Sequence, residues 1–183
     1  MDSLERLMAL EEIRQLKHRY FRFVDTRDYE GLAQVFCKEA VFDCTEGSGV
    51  TPEGGSFVGK VGPVTRGREA IVHWIRTAMA QITSVHHGHG HEVTFDSDTE
   101  ARGIVAMEDY LNALDRQTPL WQGAGHYHER YRYEDGAWRI AETKLTRLLR
   151  VEVQAKPKAL RSSCRRRCGY SRRWCSRRAG WPA

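Results

Sequence analysis

Apolar residues recur at mixed spacings of three and four from Leu4 to Val24 (Leu4, Leu7, Met8, Ile13, Leu16, Tyr20, Phe23, Val24). Glu11, Glu12, Arg14, Gln15, Lys17 and Arg19 fill the other side. This spacing predicts an amphipathic helix, with Asp2 or Ser3 as its cap. Asp28 can cap a second, short helix from Tyr29 to Phe36, with Leu32, Val35 and Phe36 inward. Ala40 to Cys44 reads as a strand. Residues 45–63 hold six glycines and two prolines, a long loop suited to act as a flap. A third helix is predicted over Arg68–Ile82, with Ile71, Ile75, Ala78 and Met79 on one face.

From Thr83 the pattern turns to strands: Val85–Phe95, Thr99–Leu114, Leu120–Tyr133 and Ala137–Val151. Asp96-Ser97-Asp98 and Glu134-Asp135-Gly136 supply turns between them. Helices followed by a meander of long antiparallel strands predict an α+β domain whose curved sheet wraps over the helices.

Composition changes the picture mainly by dividing the chain. The 183 residues carry a net charge of +5, but residues 154–183 hold ten basic residues and no acidic one. The first 153 residues are left with 19 basic against 24 acidic residues, a net charge of −5. Two parts are therefore expected: a domain over 1–153 and a basic Cys/Arg-rich tail over 154–183 that is disordered or non-native and carries no catalytic residue. No electrostatic field for nucleic acid or a membrane surface is expected of the body. No apolar run approaches the roughly 20 residues of a membrane helix, and the N-terminus lacks a secretory signal. With only Cys37 and Cys44 in the body, a cytoplasmic, reducing location is expected. Cys164, Cys168 and Cys175 lack the spacing and histidine partners of a zinc module.

Candidate chemistry lies in the histidines. Four of the eight fall in His86-His87-Gly88-His89-Gly90-His91, and two more in His126-Tyr127-His128. On a regular strand His86 points one way and His87, His89 and His91 the other, with Gly88 and Gly90 clearing space beside His86. Val93 and Phe95 then share a face with His87 and not with His86, unless a bulge at one of the glycines swaps it. An imidazole with cleared space is suited to general-base work. Tyr20 and Asp25 lie among Phe21, Phe23 and Val24, and a buried carboxylate would orient a histidine ring. A five-residue helical step turns about 140°, so the two do not share a face and converge only if the helix ends or unwinds near Asp25. His89, Asp109 and His126 are further candidate substrate contacts, Asp109 alternatively solvated or paired with a nearby arginine. A metal set from His87-x-His89 and His126-x-His128 is a competing reading. Trp74, Trp121 and Trp138 read as core, edge or interface aromatics.

The segment Leu10 to Asp25 and the Tyr29–Leu32 segment resemble the SnoaL-like branch of the nuclear-transport-factor-2-like superfamily. The resemblance continues through Ser84 to His89, Val93 to Ser97 and Tyr131 to Ile140, and covers about residues 4–150. It implies an α+β cone: a curved antiparallel sheet enclosing about three N-terminal helices, with a pocket at the open end. In the lyases of this branch, such as bile-acid dehydratase, scytalone dehydratase and hexachlorocyclohexane dehydrochlorinase, a strand histidine pairs with an aspartate ending the first helix. Those positions fall on His86 and Asp25. Tyr20 matches an assisting tyrosine and Arg147 a pocket arginine. The 45–63 segment departs from the pattern in length and composition.

The resemblance thus implies a cofactor-independent lyase or double-bond isomerase acting on a moderately large hydrophobic, alicyclic or polyketide-like molecule. No cofactor and no metal are expected, and a homo-oligomer, dimer or trimer, is. The alternative is a non-catalytic ligand-binding or scaffold domain.

Overall fold

The computed structural model describes residues 1–50, 58–115 and 119–152. Its elements run α1 (Ser3–Thr26), α2 (Tyr29–Gln34), β1 (Phe36–Asp43), β2 (Gly49–Val50), β3 (Val58–Gly59), β4 (Val64–Arg66), α3 (Arg68–Ala78), β5 (Ile82–Phe95), β6 (Glu100–Ala113), β7 (Pro119–Glu134) and β8 (Ala137–Glu152). The basic tail lies outside the described residues, as does the 51–57 part of the expected flap. What is described of that loop carries the short β2/β3 ribbon, which the sequence pattern did not predict. Among the described residues no helix is long and apolar enough to cross a membrane.

The helix α1 starts in a reciprocal cap. Asp2 accepts hydrogen bonds from the Leu4 and Glu5 amides, while the Glu5 side chain accepts from the Asp2 amide. It ends at Arg27, which adopts a left-handed conformation (φ 61°) and returns its N–H to Phe23 and Val24 carbonyls. Ala9, Ile13, Leu16, Lys17, Tyr20, Phe21 and Val24 form its buried face. Leu4, Leu7 and Met8 are instead exposed, so the apolar stripe that seats the helix begins one turn later than predicted. Lys17, predicted on the polar side, is inside. The Asp28 cap holds as expected on the Gly31 amide, but α2 ends at Gln34 because the chain extends from Phe36 into β1. Likewise α3 stops at Ala78, four residues short of the prediction, as Ile82 opens β5.

Six strands form one curved sheet in the order β4-β1-β8-β7-β6-β5, and a second sheet is the β2/β3 ribbon. The β5–β8 meander is antiparallel as predicted, whereas β1 joins β8 in parallel, the chain between them being long enough for that crossover. The inner face presents Ala101, Val105, Met107, Tyr127, Tyr131, Trp138, Ile140 and Leu145 to the helices.

One irregularity in β5 decides what faces inward. The β5/β6 register shifts between Gly88 and His91, where one extra residue on β5 reverses the alternation. Ser84, His86 and Gly88 before it therefore share the inner face with His91, Val93 and Phe95 after it. The bulge anticipated as a condition is present, and His91 belongs with His86 instead of His87.

Candidate active site

Asp25 is fixed over the start of β5 by the end of α1. Arg27, two residues on, reaches the Ile82 carbonyl through Nη2 at 2.8 Å and so fastens the helix end to the strand. The Asp25 carboxylate then accepts three hydrogen bonds from β5. Ser84 Oγ donates to Oδ1 at 2.8 Å, the His86 amide donates to Oδ2 at 2.8 Å, and His86 Nδ1 lies 2.6 Å from Oδ1. The inner-face parity of Ser84 and His86 makes the first and third bonds compatible.

The His86 side chain is 6% exposed and Asp25 20%. Phe21 lies parallel to the imidazole within 10°, ring centres 5.9 Å apart. The space left by Gly88 is therefore filled by the protein: a Cβ there would sit 2.5 Å from Phe21 Cε2. Gly88 admits the ring that buttresses His86 and does not clear a path for substrate.

A cavity of about 180 Å³ lies between α1, α3 and the inner sheet face. His86, Tyr20, Tyr127, Asp109 and Arg147 supply its polar groups, and residues such as Phe42, Trp74, Leu111 and Trp121 its apolar wall. Tyr20 and Asp25 do not converge on it directly, although α1 ends at Thr26, one residue past Asp25. His86 stands between them, with Tyr20 on the cavity and Asp25 behind the imidazole, bordering an open groove with His18 and Arg22. The Tyr20 and Tyr127 rings meet edge to face at 5.9 Å. Burial pushes both phenols above their ordinary pKa, so both stay protonated as donors.

On the far wall Arg147 clasps Asp109 through Nη1 at 2.9 Å and Nη2 at 2.5 Å, and its Nε donates to the Gly47 carbonyl at 2.7 Å. Gly123 makes this possible, because any Cβ there would run into Arg147 Nη1 and Asp109 Oδ1.

A sequence model of the SnoaL-like domain matches residues 5–144, spanning every element from α1 to the middle of β8. The chain belongs to the SnoaL-like domain family. Solved structures agree on the fold, that of the nuclear-transport-factor-2-like superfamily. A protein from Novosphingobium aromaticivorans DSM 12444 assigned as a scytalone dehydratase is 16% identical, with 83% of this chain and 92% of that chain covered and a TM-score of 0.66. The type 3 hexachlorocyclohexane dehydrochlorinase from Novosphingobium barchaimii LL02 is 19% identical over 85% of this chain and 100% of that chain, TM-score 0.65. A Mycobacterium tuberculosis protein of unknown function is 24% identical over 77% of each chain, TM-score 0.61.

Within this SnoaL-like domain the predicted residues divide by face. Tyr20, His86, Asp109 and Arg147 line the cavity, and Asp25 braces His86. His89 and His126 do not line it. His89 projects outward with His87, both reaching Glu108 on the outer sheet face, at 3.4 and 3.3 Å. His126 lies on the outer side of β7 beside His128, the reverse parity to the buried Tyr127. The two histidine pairs sit on β5 and β7 with β6 between them, and no group of three or more potential ligands is gathered among the described residues. Asp109 is at the cavity and paired with an arginine, and it is buried, not solvated.

Three features went unread in the sequence. Ser84 shares parity with His86, which was visible, but serine on a strand carries no signal by itself. Trp121 and Cys44 line the cavity, although an isolated aromatic and an isolated thiol point to no site in the sequence. Finally, a buried polar network underlies the site. Lys17 Nζ meets Glu129 Oε1 at 2.6 Å, and Glu129 also accepts from Tyr131 (2.6 Å) and Thr143 (2.9 Å). His91 Nε2 lies 2.9 Å from the Tyr131 hydroxyl. Since that hydroxyl donates to Glu129, His91 is its donor. Lys17 Nζ also lies 3.4 Å over the Tyr127 ring. Burial pulls the Lys17 ammonium down to about 8 against the opposing pull of Glu129.

Proposed function

We propose that this chain is a cofactor-independent lyase of the dehydratase type, or a double-bond isomerase, acting on an apolar small molecule through an Asp25–His86 acid/base dyad assisted by Tyr20. The observation that carries this reading is the Asp25 carboxylate held by three hydrogen bonds against Nδ1 of an imidazole that borders an apolar cavity. With Nδ1–H directed at Asp25, Nε2 is the basic nitrogen, and no hydrogen bond among the described residues occupies it. Asp25 fixes that tautomer and stabilises the imidazolium once formed.

In an elimination, Nε2 takes a C–H proton acidified by a neighbouring carbonyl, and the electron pair forms the enolate. Tyr20, kept protonated by burial, donates a hydrogen bond to the enolate oxygen. A phenol with so high a pKa holds its proton, so the proton for the departing hydroxide returns from the His86 imidazolium. The C–O bond breaks, water leaves and His86 is neutral again. Returning the proton to a different carbon instead would move a double bond. Dehydratase and dehydrochlorinase names among the structural neighbours accord with elimination chemistry.

Two probes test it. 3-Hydroxycyclohexanone loses water to give 2-cyclohexenone, and 3-cyclohexenone gives the same product by isomerisation, both followed by enone absorbance. Wild-type protein is expected to accelerate at least one, with Asp25→Asn and His86→Ala lowering kcat by about 10²–10⁴-fold. Wild-type rates no higher than those of the two variants would sink the dyad. Thermal stabilisation by the probes without conversion would then mark a binding domain.

A further inference from the structure

The cavity of the proposed reaction also carries its own limits on size and charge. Ligand sites for drug-sized molecules measure about 300–1,000 Å³, and an engineered apolar cavity of about 150 Å³ in another protein takes one benzene. A volume of about 180 Å³ therefore takes one ring with a few substituents. Such a ligand is smaller than the moderately large substrate that the resemblance implies.

Charge is limited by the Arg147–Asp109 clasp. Arg147 is the one permanently cationic side chain among the described residues lining the cavity. Its two Nη atoms, the fork that would grip a carboxylate or phosphate, already grip Asp109, and its Nε is on Gly47. Both partners are almost fully buried, Arg147 5% and Asp109 2% exposed, and Gly123 leaves the room that lets them close. The protein supplies its own anion where a substrate's would bind. An anionic ligand would meet this filled fork, then the Asp25 carboxylate behind His86. It would lose its hydration without gaining a counter-ion, an unfavourable exchange in a water-poor cavity. The donors that remain are all neutral, the Tyr20–Tyr127 phenol pair, hydrogen-bonded to each other, and the Trp121 indole N–H, buried without a partner among the described residues, and they suit a carbonyl or hydroxyl oxygen.

We propose, on the reading of this cavity as the substrate site, that the substrate is an uncharged single-ring compound bearing a carbonyl or hydroxyl, and that carboxylates and steroid-sized molecules are excluded. Acetophenone and benzoate test the charge, being alike in shape and differing in a methyl against an anionic oxygen. Androst-4-ene-3,17-dione tests the size. Dissociation constants at pH 7 by ligand-observed NMR are expected to favour acetophenone over benzoate by at least about tenfold, with no displacement of acetophenone by the steroid. Asp109→Asn, which opens the Arg147 fork, is expected to raise benzoate affinity by about tenfold. Should that variant fail to fold, the wild-type ratio decides alone. Benzoate binding as tightly as acetophenone, or the steroid displacing it, overturns the proposal. The two readings fail separately. Acetophenone preference without dyad-dependent enone formation keeps the substrate class and removes the chemistry, whereas benzoate preference with that chemistry intact does the reverse.

Discussion

Asp25 is the residue on which the site turns, and its three hydrogen bonds are unequal in what they do. The His86 amide and ring bonds come from the residue to be oriented, while Ser84 Oγ is an independent brace. A hydrogen bond to a charged group contributes about 1.5–3 kcal/mol. Ser84→Ala should therefore lower kcat on 3-hydroxycyclohexanone about tenfold with KM unchanged, since Ser84 does not line the cavity; an unchanged kcat would remove it as a positioning residue. Gly88→Ala tests the opposite side of the ring. Its methyl must displace Phe21, and overpacking of this kind costs about 1–3 kcal/mol. Both the denaturation midpoint and kcat are expected to fall. The Asp25–His86 contact was legible because an aspartate ending a helix and a histidine on the following long strand resemble a known pattern. Its support was less legible, because the meaning of Ser84 and Gly88 depends on a parity that holds only with the bulge in place.

Elements, more than residues, explain the errors of the sequence reading. Lys17 was assigned by its charge, yet Ile13, Leu16, Lys17, Tyr20, Phe21 and Val24 recur at helical spacing and seat α1 on the sheet. The spacing was right and the residue type misled, because only the tertiary fold supplies Glu129 on β7. Breaking such a pair from one side costs about 3–5 kcal/mol, while replacing both partners is near neutral. Lys17→Met should therefore destabilise strongly in urea, and Lys17→Met/Glu129→Leu should recover only part of the loss, because the buried Tyr131 and Thr143 hydroxyls then lack their acceptor. The bulge in β5 brings His91 to the same network, where burial lowers its pKa to about 4. The folded state then resists a proton that the unfolded chain accepts below about 6.5. Arg14, His18 and Lys17 oppose that proton and Glu129 favours it. The sign follows: the penalty is absent above pH 6.5 and grows as pH falls towards 4. Thermal melts should show the midpoint dropping across that window, and His91→Gln should flatten the drop. A midpoint in the wild type that is level from pH 6.5 to 4 would contradict the burial of neutral His91.

At the scale of the whole molecule the family match ends shortly before the charge of the chain changes character. The family match ends at Lys144 and β8 at Glu152, while the ten basic residues begin at Lys156. Every described hydrogen bond of the cavity and of the Lys17–Glu129 network is made by residues before 153. The basic character of the chain thus belongs to residues 154–183, and the first 153 residues carry a net charge of −5. Removing residues 154–183 is expected to leave the calorimetric melting temperature within about 2 °C of the full chain, less than 1 kcal/mol for a domain of this size. Dyad-dependent enone formation should also be unchanged. The charge, in contrast, should reverse, so that the shortened chain binds an anion exchanger at pH 7 where the full chain binds a cation exchanger. A fall of more than about 5 °C would mean that the tail packs on the domain. Loss of turnover without such a fall would place a tail residue at the cavity, and the site would then be incomplete as drawn.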